Sequence, residues 1–454
     1  MKKDQPNVVI YFTDDQGYGD LSCMGAKDFS TPVLDRMANE GIRFTDWYSN
    51  SPVCSPSRAS LLSGKYPSRA GVRSILRGHR TATGLPPSTK TIASVLKSNG
   101  YQTAITGKWH LGLKDECRPH NHGFDKTFGF FAGCIDFYSH IFYWGANRPG
   151  PSLNPTHDLW EDNTEIWKNG EYFTELIADK AIEYLREMKK NNKPFFLYVP
   201  FNAPHYPMHA PQKYMDRFPN LPWDRQVMAA MISAVDDSIG RIQDEMERLG
   251  FAENTLSFFT SDNGPSRESR NWLDGNQDPY YGGTAGKLKG HKFSLFDGGI
   301  KEPAIMHWPG KITPGQVSSE ICASMDVFPT ILDAAGIDKD VNVDGISLIP
   351  HALNNEKNPQ RPIFWEMENQ KAVRKGKWKL VLDGQLVENE SPIAKIHLSD
   401  LESDPAEKIN LADSEPEIRD ELHNLLTDWI SGIEDEWKRN FSDLDYEYVA
   451  HGMV

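Results

Sequence analysis

The stretch Ser51-Pro-Val-Cys54-Ser-Pro-Ser-Arg58-Ala-Ser-Leu-Leu-Ser-Gly64 places a cysteine on a loop that leads into a short helix. Ser55 and Ser57 are expected to cap the free amides at the start of that helix. A side chain at a helix N-terminus lies in a field that favours anions, and Arg58 adds a permanent positive charge nearby. On these grounds alone, Cys54 is equally well explained as a reduced cysteine with a lowered pKa, either inert or redox-active.

Around this stretch, one pattern occurs four times: a short apolar, β-branched or aromatic run followed by a polar cluster. The runs and their clusters are Asn7–Thr13 with Asp14–Gly19, Gln102–Thr106 with Gly107–His110, Pro194–Val199 with Pro200–His205, and Thr255–Thr260 with Ser261–Gly264. Continuous apolar runs of this length are typical of strands buried on both faces.

Helix-like segments separate these runs: Thr31–Glu40, Lys90–Asn99, Glu175–Lys190 and Met228–Leu249. Strands that alternate with helices predict an α/β fold with a large, mostly parallel sheet flanked by helices. In such sheets ligands bind beyond the carboxyl ends of the strands, so the four polar clusters are expected to converge on one site.

The last hundred residues show a different pattern. After the polar stretch Asn354–Arg361, strand-like segments occur at Ile363–Glu366, Ala372–Arg374 and Trp378–Leu382, and Glu415–Ile433 has the pattern of a helix. We therefore predict a catalytic α/β domain at 1–355 and a small C-terminal α+β domain with antiparallel strands at 356–454.

Composition excludes several classes of function. The chain has 454 residues, 39% of them hydrophobic, which is enough for a large core. A net charge of −14 argues against binding to nucleic acid. No apolar run approaches the roughly 18 residues that cross a bilayer. The five cysteines are too scattered for a structural zinc site, and their disulfide pairing stays open.

Oxygen ligands dominate two of the polar clusters. Asp14, Asp15, Asp262 and Asn263 offer a hard-cation set, suited to Ca²⁺ or Mg²⁺ rather than zinc. Packing these carboxylates together without a cation would be costly. The simpler explanation for Asp14 and Asp15 is that they cap a turn.

Basic side chains come from the other clusters and from a later loop. Lys108 and His110 flank Trp109, and residues two apart in an extended chain face the same side. Taken singly, these residues, His205 and Lys292 are more often solvated lysines or structural histidines. Together with Arg58 they would form a cationic ring around an anion site.

The pattern Cys54-Ser-Pro-Ser-Arg58, within a longer run from Gly41 to Arg69, resembles the signature of the sulfatases, and especially the arylsulfatase A and N-acetylgalactosamine-6-sulfatase branch. The resemblance implies an alkaline-phosphatase-like fold. It also implies that a maturation enzyme converts Cys54 to formylglycine. One Ca²⁺ would be bound by position 54 together with the four oxygen ligands, Asp14, Asp15, Asp262 and Asn263.

The same resemblance assigns roles to the cationic ring. The hydrated formylglycine would attack sulfur, and Arg58 would hold the modified residue. Lys108 and Lys292 would bind sulfate oxygens. His205 or Lys292 would protonate the leaving alcohol, and His110 would take a proton from the second hydroxyl of the hydrate.

Two positions near Lys292 stand out. Asp297 occupies the place where the family pattern has Glu before Gly-Gly, which is a conservative difference. His291 lies directly before Lys292, and the sequence leaves open whether it joins the pocket.

Substrate choice is expected to depend on loops, chiefly the aromatic-rich stretch Asp115–Gly170. Its aromatics favour a sulfated carbohydrate over a small aryl ester, although they are equally well explained as core. The residues predicted to contact a sugar are Arg77, His79, Asp136, Tyr138 and Trp160.

Two other functions stay open. One is a phosphonate monoester or phosphodiester hydrolase of the same superfamily, with a different metal. The other is a non-catalytic sugar-binding relative, which predicts a broken nucleophile or lost ligands. Met1–Pro6 shows no signal-peptide apolar region, so a cytoplasmic location or a removed leader is expected; the resemblance favours the periplasm or the extracellular space.

Overall fold

The computed structural model describes residues 5–78, 80–142, 156–267, 280–338, 341–388 and 390–442. Of the residues predicted to form the site, His79 lies outside these ranges. All five cysteines lie within them, and none of them is joined in a disulfide. Among the described helices, none combines the length and the apolar character that a membrane span requires.

Strands occur throughout the described chain. In chain order they are β1 (Asn7–Thr13), β2 (Ile42–Phe44), β3 (Trp47–Tyr48), β4 (Gln102–Lys108), β5 (Lys126–Phe130), β6 (Ile141–Phe142), β7 (Thr156–His157), β8 (Trp160–Glu161), β9 (Thr164–Glu165), β10 (Phe195–Pro200), β11 (Thr255–Ser261), β12 (Ala304–His307), β13 (Gln316–Ser318), β14 (Cys322–Ala323), β15 (Ile363–Met367), β16 (Gln370–Lys375), β17 (Trp378–Gly384) and β18 (Ala394–Asp400).

Ten of the described strands form one large sheet, in the order β13-β2-β12-β11-β1-β10-β4-β5-β8-β9. The four predicted strands are its neighbouring central strands β11, β1, β10 and β4, and they run parallel to one another. Antiparallel pairing begins only further out, at β12 and at β8. The prediction of a mostly parallel sheet whose polar clusters share one edge is confirmed.

Helices cover both faces of this sheet. The described helices are α1 (Pro32–Glu40), α2 (Cys54–Ser63), α3 (Pro67–Ala70), α4 (Ile92–Ser98), α5 (Phe173–Lys189), α6 (Gln212–Met215), α7 (Trp223–Arg248), α8 (Asp297–Ile300), α9 (Val327–Ala334), α10 (Ile349–Asn354) and α11 (Pro416–Asn440), with 3-10 turns at Ser22–Met24, Asp115–Cys117, Pro119–His122, Ala252–Asn254 and Ser324–Asp326. Helices α1 and α5 pack on α7, whereas α2, α4 and α9 pack on one another. Since every residue of β1, β10 and β11 is buried, the two groups form layers on opposite faces.

The start of α2 differs from the prediction. Cys54 is the first residue of the helix rather than part of the preceding loop, and Val53 precedes it without a side-chain cap. The hydroxyl of Ser55 accepts a hydrogen bond from the Leu76 amide instead, and that of Ser57 is buried without a partner among the described residues. The prediction that these serines cap the helix was therefore wrong, because packing of the whole helix into the core outweighs local capping.

Strands β15 to β18 form a separate antiparallel sheet in sequential order, against which α11 packs. The fold predicted for the small α+β region is confirmed, with β18 as an additional strand. A second apolar core lies beneath it and includes side chains from both sides of residue 355, such as Tyr48, Phe296 and Trp365. The domain boundary itself stays a prediction.

A buried ionic group also links the small sheet to the large unit. Lys379 on β17 has no exposed surface, and its ammonium lies 2.6 Å from Asp297 at the start of α8 and 3.2 Å from Glu407. The hydroxyl of Tyr48 on β3 also donates to Asp297, at 2.9 Å. Asp297 therefore has a structural role here, which a shorter carboxylate than Glu can fulfil.

We expect Lys379→Met to lower the free energy of unfolding by about 3–5 kcal/mol, because the change leaves two buried carboxylates without their main cation. The matched control is Lys375→Met, whose exposed pair with Glu421 should contribute about 0–1 kcal/mol. Urea unfolding of both variants checks this. Equal losses for the two variants would show that the buried group does not link the units.

Candidate active site

The central strands deliver the predicted site residues to one edge of the sheet. Asp14–Asp15 follows β1 directly, Asp262–Asn263 follows β11, Lys108 ends β4, and His205 comes shortly after β10. Gly107 explains how β4 and β10 approach so closely, because it has φ +136° and a Cβ there would lie 1.9 Å from the carbonyl oxygen of Pro200. The side chains that the sequence scatters over 250 positions thus meet in space.

Arg58 and Lys108 provide the positive charge on one side of the site. The Arg58 guanidinium on α2 lies 2.7 Å from Asp262 and 3.6 Å from Asp14, and it also donates to the carbonyl oxygen of Lys108 at 3.2 Å. The ammonium of Lys108 lies 2.5 Å from Asp14. All four side chains are fully buried, so these contacts act in a low-dielectric environment and hold the site rigidly.

Lys292, from the loop before α8, provides the charge on the other side. Its ammonium lies 2.9 Å from Asp15 and 3.3 Å from Nε2 of His205. Asn263 donates from its amide nitrogen to Asp15 at 2.7 Å. Asp15 adopts a left-handed backbone conformation (φ 62°), which costs a non-glycine residue about 1–3 kcal/mol and is typical of functional sites.

The donor set fits a hard cation. Because the amide nitrogen of Asn263 is occupied, its side-chain oxygen faces the site buried and without a hydrogen-bond partner among the described residues. Burial raises the pKa of Asp14, and the nearby Asp262 carboxylate raises it further. A divalent cation would satisfy the unpaired oxygen and favour ionised carboxylates. One atom each of Asp14, Asp15, Cys54 and His205 lie within 4.8 Å of one another, which places His205 at this group as well.

The environment of Cys54 disfavours the thiolate form of its side chain. Its Sγ lies 3.4 Å from an oxygen of Asp14, and burial raises the pKa of the thiol well above its ordinary value, although Lys108 and Lys292 act to lower it. The expectation of a lowered pKa was wrong, because the desolvation of the enclosed site outweighs the field of the helix N-terminus. An unmodified Cys54 is therefore a poor nucleophile at neutral pH.

The hydrogen bonds of the two histidines define their tautomers. Nδ1 of His205 lies 2.8 Å from the carbonyl oxygen of Tyr206, so it carries the hydrogen, and Nε2 accepts from Lys292. Nε2 of His110 lies 3.1 Å from the carbonyl oxygen of Leu76, so it is the donor, and Nδ1 is left buried with an unused lone pair. Burial and the neighbouring cations lower the pKa of both rings well below the ordinary value, which keeps them neutral.

The residues predicted to contact a sugar are not brought together in the same way. Asp136 accepts hydrogen bonds from the amides of Tyr138 and Ser139 and lies 3.3 Å from His209. Tyr138 is half-buried, and its ring lies 6.3 Å from that of His209. Both therefore help to order one loop, and their part in substrate binding stays a prediction.

Trp160 lies in the core of the aromatic-rich segment, with 8% of its surface exposed. Its ring packs on Phe131, with 5.6 Å between ring centroids, and the guanidinium of Arg118 lies 4.6 Å from it. It therefore presents little surface on which a sugar ring could stack. Arg77 is described but half-buried, and its part in substrate binding also stays a prediction.

Glu302 is a residue of this region that sequence reasoning missed. Its side chain is fully buried, and neither carboxyl oxygen has a hydrogen-bond partner among the described residues. Burial and the carboxylates of Asp262 and Asp15 raise its pKa well above the ordinary range, which favours its protonated form. The available signal was a lone carboxylate between Lys301 and Pro303 at the start of an apolar strand.

The sequence also matches known protein families. Residues 6–337 match the family model described as Sulfatase, and residues 290–431 match that described as N-sulphoglucosamine sulphohydrolase, C-terminal. The chain belongs to the sulfatase family. Membership makes this sulfatase a sulfuric ester hydrolase, with the alkaline-phosphatase-like fold that the large sheet displays.

Individual relatives cover most of this sulfatase. It is 36% identical over 394 residues to mouse N-acetylgalactosamine-6-sulfatase, covering 82% of this chain and 71% of the relative. It is 32% identical to human arylsulfatase A, covering 92% and 87% of the two chains. Among solved structures, it is similar to Ps i-CgsB in complex with k-i-k-neocarrahexaose, with a TM-score of 0.82 at 27% identity, covering 97% of this chain and 98% of that one.

Proposed function

We propose that this sulfatase hydrolyses sulfate esters of carbohydrates, with formylglycine derived from Cys54 as nucleophile and one bound Ca²⁺. The observation that carries the proposal is the position of Cys54: its side chain contacts a carboxylate of the hard-cation group, in a buried site that also contains Arg58, Lys108 and Lys292. Such a site suits a neutral precursor that is converted to an oxygen nucleophile, and it does not suit a free thiolate.

The proposed ligands of Ca²⁺ are the oxygens of Asp14, Asp15, Asp262 and Asn263, completed by the side chain at position 54. The unpaired amide oxygen of Asn263 supports this assignment. When bound, the ion would polarise a sulfate oxygen and favour ionisation of the hydrated formylglycine, which supplies the attacking oxygen. The protein's own residues bind the sulfate, hold the nucleophile and move the protons.

Arg58 holds position 54 in its orientation through its contacts with Asp14 and Asp262. Lys108 and Lys292 are the cations available to bind the remaining sulfate oxygens. Each ammonium lies within hydrogen-bond distance of a carboxylate proposed to bind Ca²⁺, which places it next to the proposed ion. Fixed cations in a water-poor site stabilise the charge that develops on the sulfate oxygens without reorganisation during the reaction.

The tautomers of the two histidines support a proposal for the proton transfers. Since Nε2 of His205 accepts from Lys292, the pair carries one mobile proton, and we propose that this proton passes to the oxygen of the leaving alcohol. The buried lone pair on Nδ1 of His110 is suited to accept a proton from the second hydroxyl of the hydrate. The low pKa of His110 keeps that nitrogen unprotonated at neutral pH.

A sulfated carbohydrate is the substrate class that the relatives support. One has the name N-acetylgalactosamine-6-sulfatase, and one solved structure holds a neocarrahexaose. We propose sulfated glycan fragments, including those of glycosaminoglycans, for this chain. We further propose that a formylglycine-generating enzyme matures it and that it acts in the periplasm or outside the cell.

Lys292→Gln is expected to lower sulfate release by about 10²–10⁴-fold, because it removes both a sulfate ligand and the proton shared with His205. The matched control is Lys287→Gln, which neutralises an exposed lysine in the same loop and should leave the rate unchanged. Initial rates of both variants, at equal formylglycine content, check the prediction. A rate for Lys292→Gln within twofold of wild type would contradict the role of Lys292.

The proposed function is tested by inorganic sulfate release from a panel of sulfated mono- and disaccharides, with an aryl phosphonate and a phosphodiester beside them. The protein should be one in which the mass of the Cys54 peptide confirms conversion. Release from at least one saccharide supports the proposal. Turnover of the phosphonate or phosphodiester, without sulfate release, would favour the other hydrolase of the superfamily. No turnover at all would favour a sugar-binding relative.

A further inference from the structure

Two segments run side by side next to the catalytic site. One leaves the metal-ligand candidate Asn263, and the other contains Lys292. The Lys292 amide donates to the carbonyl oxygen of Pro265 at 3.1 Å, which joins them. Arg267, two residues past this contact, and His291, directly before Lys292, are therefore neighbours that lie close in the chain to residues of the site.

Arg267 is half-buried and has no carboxylate partner among the residues that the structure describes. Its guanidinium lies 5.0 Å from the ring centroid of Tyr281, which is 65% exposed and thus presents most of its surface to solvent. A cation–π contact orients a guanidinium and leaves its N–H donors available.

Three other buried or half-buried arginines are paired with carboxylates. Arg58 contacts Asp262, Arg225 contacts Asp28, and Arg361 contacts Asp326. The chain has a net charge of −14, so carboxylates are abundant. A partly desolvated cation without one costs free energy, which an anionic ligand would offset.

His291 adds a second polar group beside Arg267. Its Nδ1 is buried without a hydrogen-bond partner among the described residues, and its backbone amide is used by the carbonyl oxygen of Leu386. Arg267 is close enough for its charge to act on the ring: burial, followed by this charge, lowers the pKa of His291 to about 4. The ring is therefore neutral and, like Arg267, has unused hydrogen-bonding capacity.

We propose that Arg267, Tyr281 and His291 form a subsite for a second anionic group of the saccharide, beside the sulfate that is hydrolysed. This inference specifies the substrate of the proposed reaction, and it therefore rests on the proposed function. The anionic group is a second sulfate or the carboxylate of a neighbouring uronic acid, since both accept the bidentate fork of a guanidinium. The exposed Tyr281 ring holds the fork and offers a face to the sugar.

The test measures binding apart from turnover, by isothermal titration calorimetry in the presence of Ca²⁺ on Cys54→Ala protein. The probes are the 6-sulfates of N-acetylgalactosamine and glucosamine, each alone, with a second sulfate on the ring, and joined to a uronic acid. Arg267→Gln is then added to this background. The matched control is Arg36→Gln, an exposed arginine that donates to Gln243 near the opposite edge of the sheet.

We expect at least one probe with a second anionic group to bind about tenfold more tightly than its monosulfated counterpart. Arg267→Gln should abolish that preference without weakening the monosulfated probe, and Arg36→Gln should preserve it. A preference for the disulfated or for the uronate probe identifies the anionic group.

Equal affinity for all probes, absence of binding, or a preference that survives Arg267→Gln would overturn the subsite. The proposed hydrolysis is judged separately, by sulfate release from the Cys54 protein. A binding preference that depends on Arg267, in a protein that releases no sulfate, would retain the subsite and reject the hydrolysis.

Discussion

Cys54→Ala is expected to abolish sulfate release, by at least about 10⁴-fold, while the protein stays folded. The loss follows because alanine cannot be converted to formylglycine, so the site has no attacking oxygen. The fold should survive because Sγ makes a single hydrogen bond among the described residues, the 3.4 Å contact with Asp14, and because alanine is a good helix former at the start of α2. Sulfate release and thermal unfolding of the variant check both parts.

The control for this variant is Cys23→Ala, which removes a free, half-buried cysteine near the start of α1 rather than at the catalytic site. We expect it to retain wild-type sulfate release. If Cys54→Ala retained activity and Cys23→Ala did not, the nucleophile would have been assigned to the wrong cysteine. Activity in both variants would exclude a cysteine-derived nucleophile at position 54.

Asp262→Ala is expected to remove Ca²⁺ binding and activity together. The loss of a metal ligand should cost about 4 kcal/mol of transition-state stabilisation, or about 10³-fold in rate. In the wild type, Ca²⁺ at 100 times its Kd should stabilise the fold by about 2.7 kcal/mol, and in the variant it should not. Calorimetric titration and the shift in Tm with added Ca²⁺ measure these effects.

Because Asp262 also pairs with the buried Arg58, its replacement by alanine leaves a guanidinium partly uncompensated. Asp262→Asn keeps the shape of the side chain and serves if the alanine variant does not fold. The control Asp244→Asn removes an exposed carboxylate elsewhere, and it should bind Ca²⁺ normally. Normal Ca²⁺ binding by both Asp262 variants would contradict the ligand assignment.

The central fold could be predicted from the sequence because its four key strands are continuous apolar runs. A strand that is buried on both faces is apolar throughout, so it can be recognised without an alternation of polar and apolar residues. The outer strands gave no comparable signal: β8 and β9 contain two residues each, which is too short for any periodicity. Strand β18 combines exposed and buried side chains irregularly, and its pairing with β17 is determined by tertiary packing.

The site could be predicted in part for a related reason. Residues that directly follow parallel strands must meet at one edge, so the proximity of Asp14, Lys108 and Asp262 follows from topology. The pKa of Cys54 could not be predicted in this way, because local charge and helix position suggest a decrease. Burial by the surrounding layers instead raises the pKa of the thiol.

Surface recognition was the least predictable part. Trp160 is of the residue type that often stacks on sugars but is packed in the core, whereas Tyr281, which contacts Arg267, is exposed and was not predicted. Exposure depends on how loops fold over the sheet, and no periodic pattern encodes it. That Arg267 has no carboxylate partner among the described residues is likewise visible only in three dimensions.

Catalysis is expected to depend on formylglycine at position 54. The most direct test uses several preparations of the same protein, made with increasing amounts of a formylglycine-generating enzyme. In each, the mass of the Cys54 peptide gives the converted fraction, and sulfate release gives the rate. We predict that the rate rises in proportion to the converted fraction and extrapolates to zero without conversion. A rate that does not depend on the converted fraction would show that formylglycine is not the nucleophile.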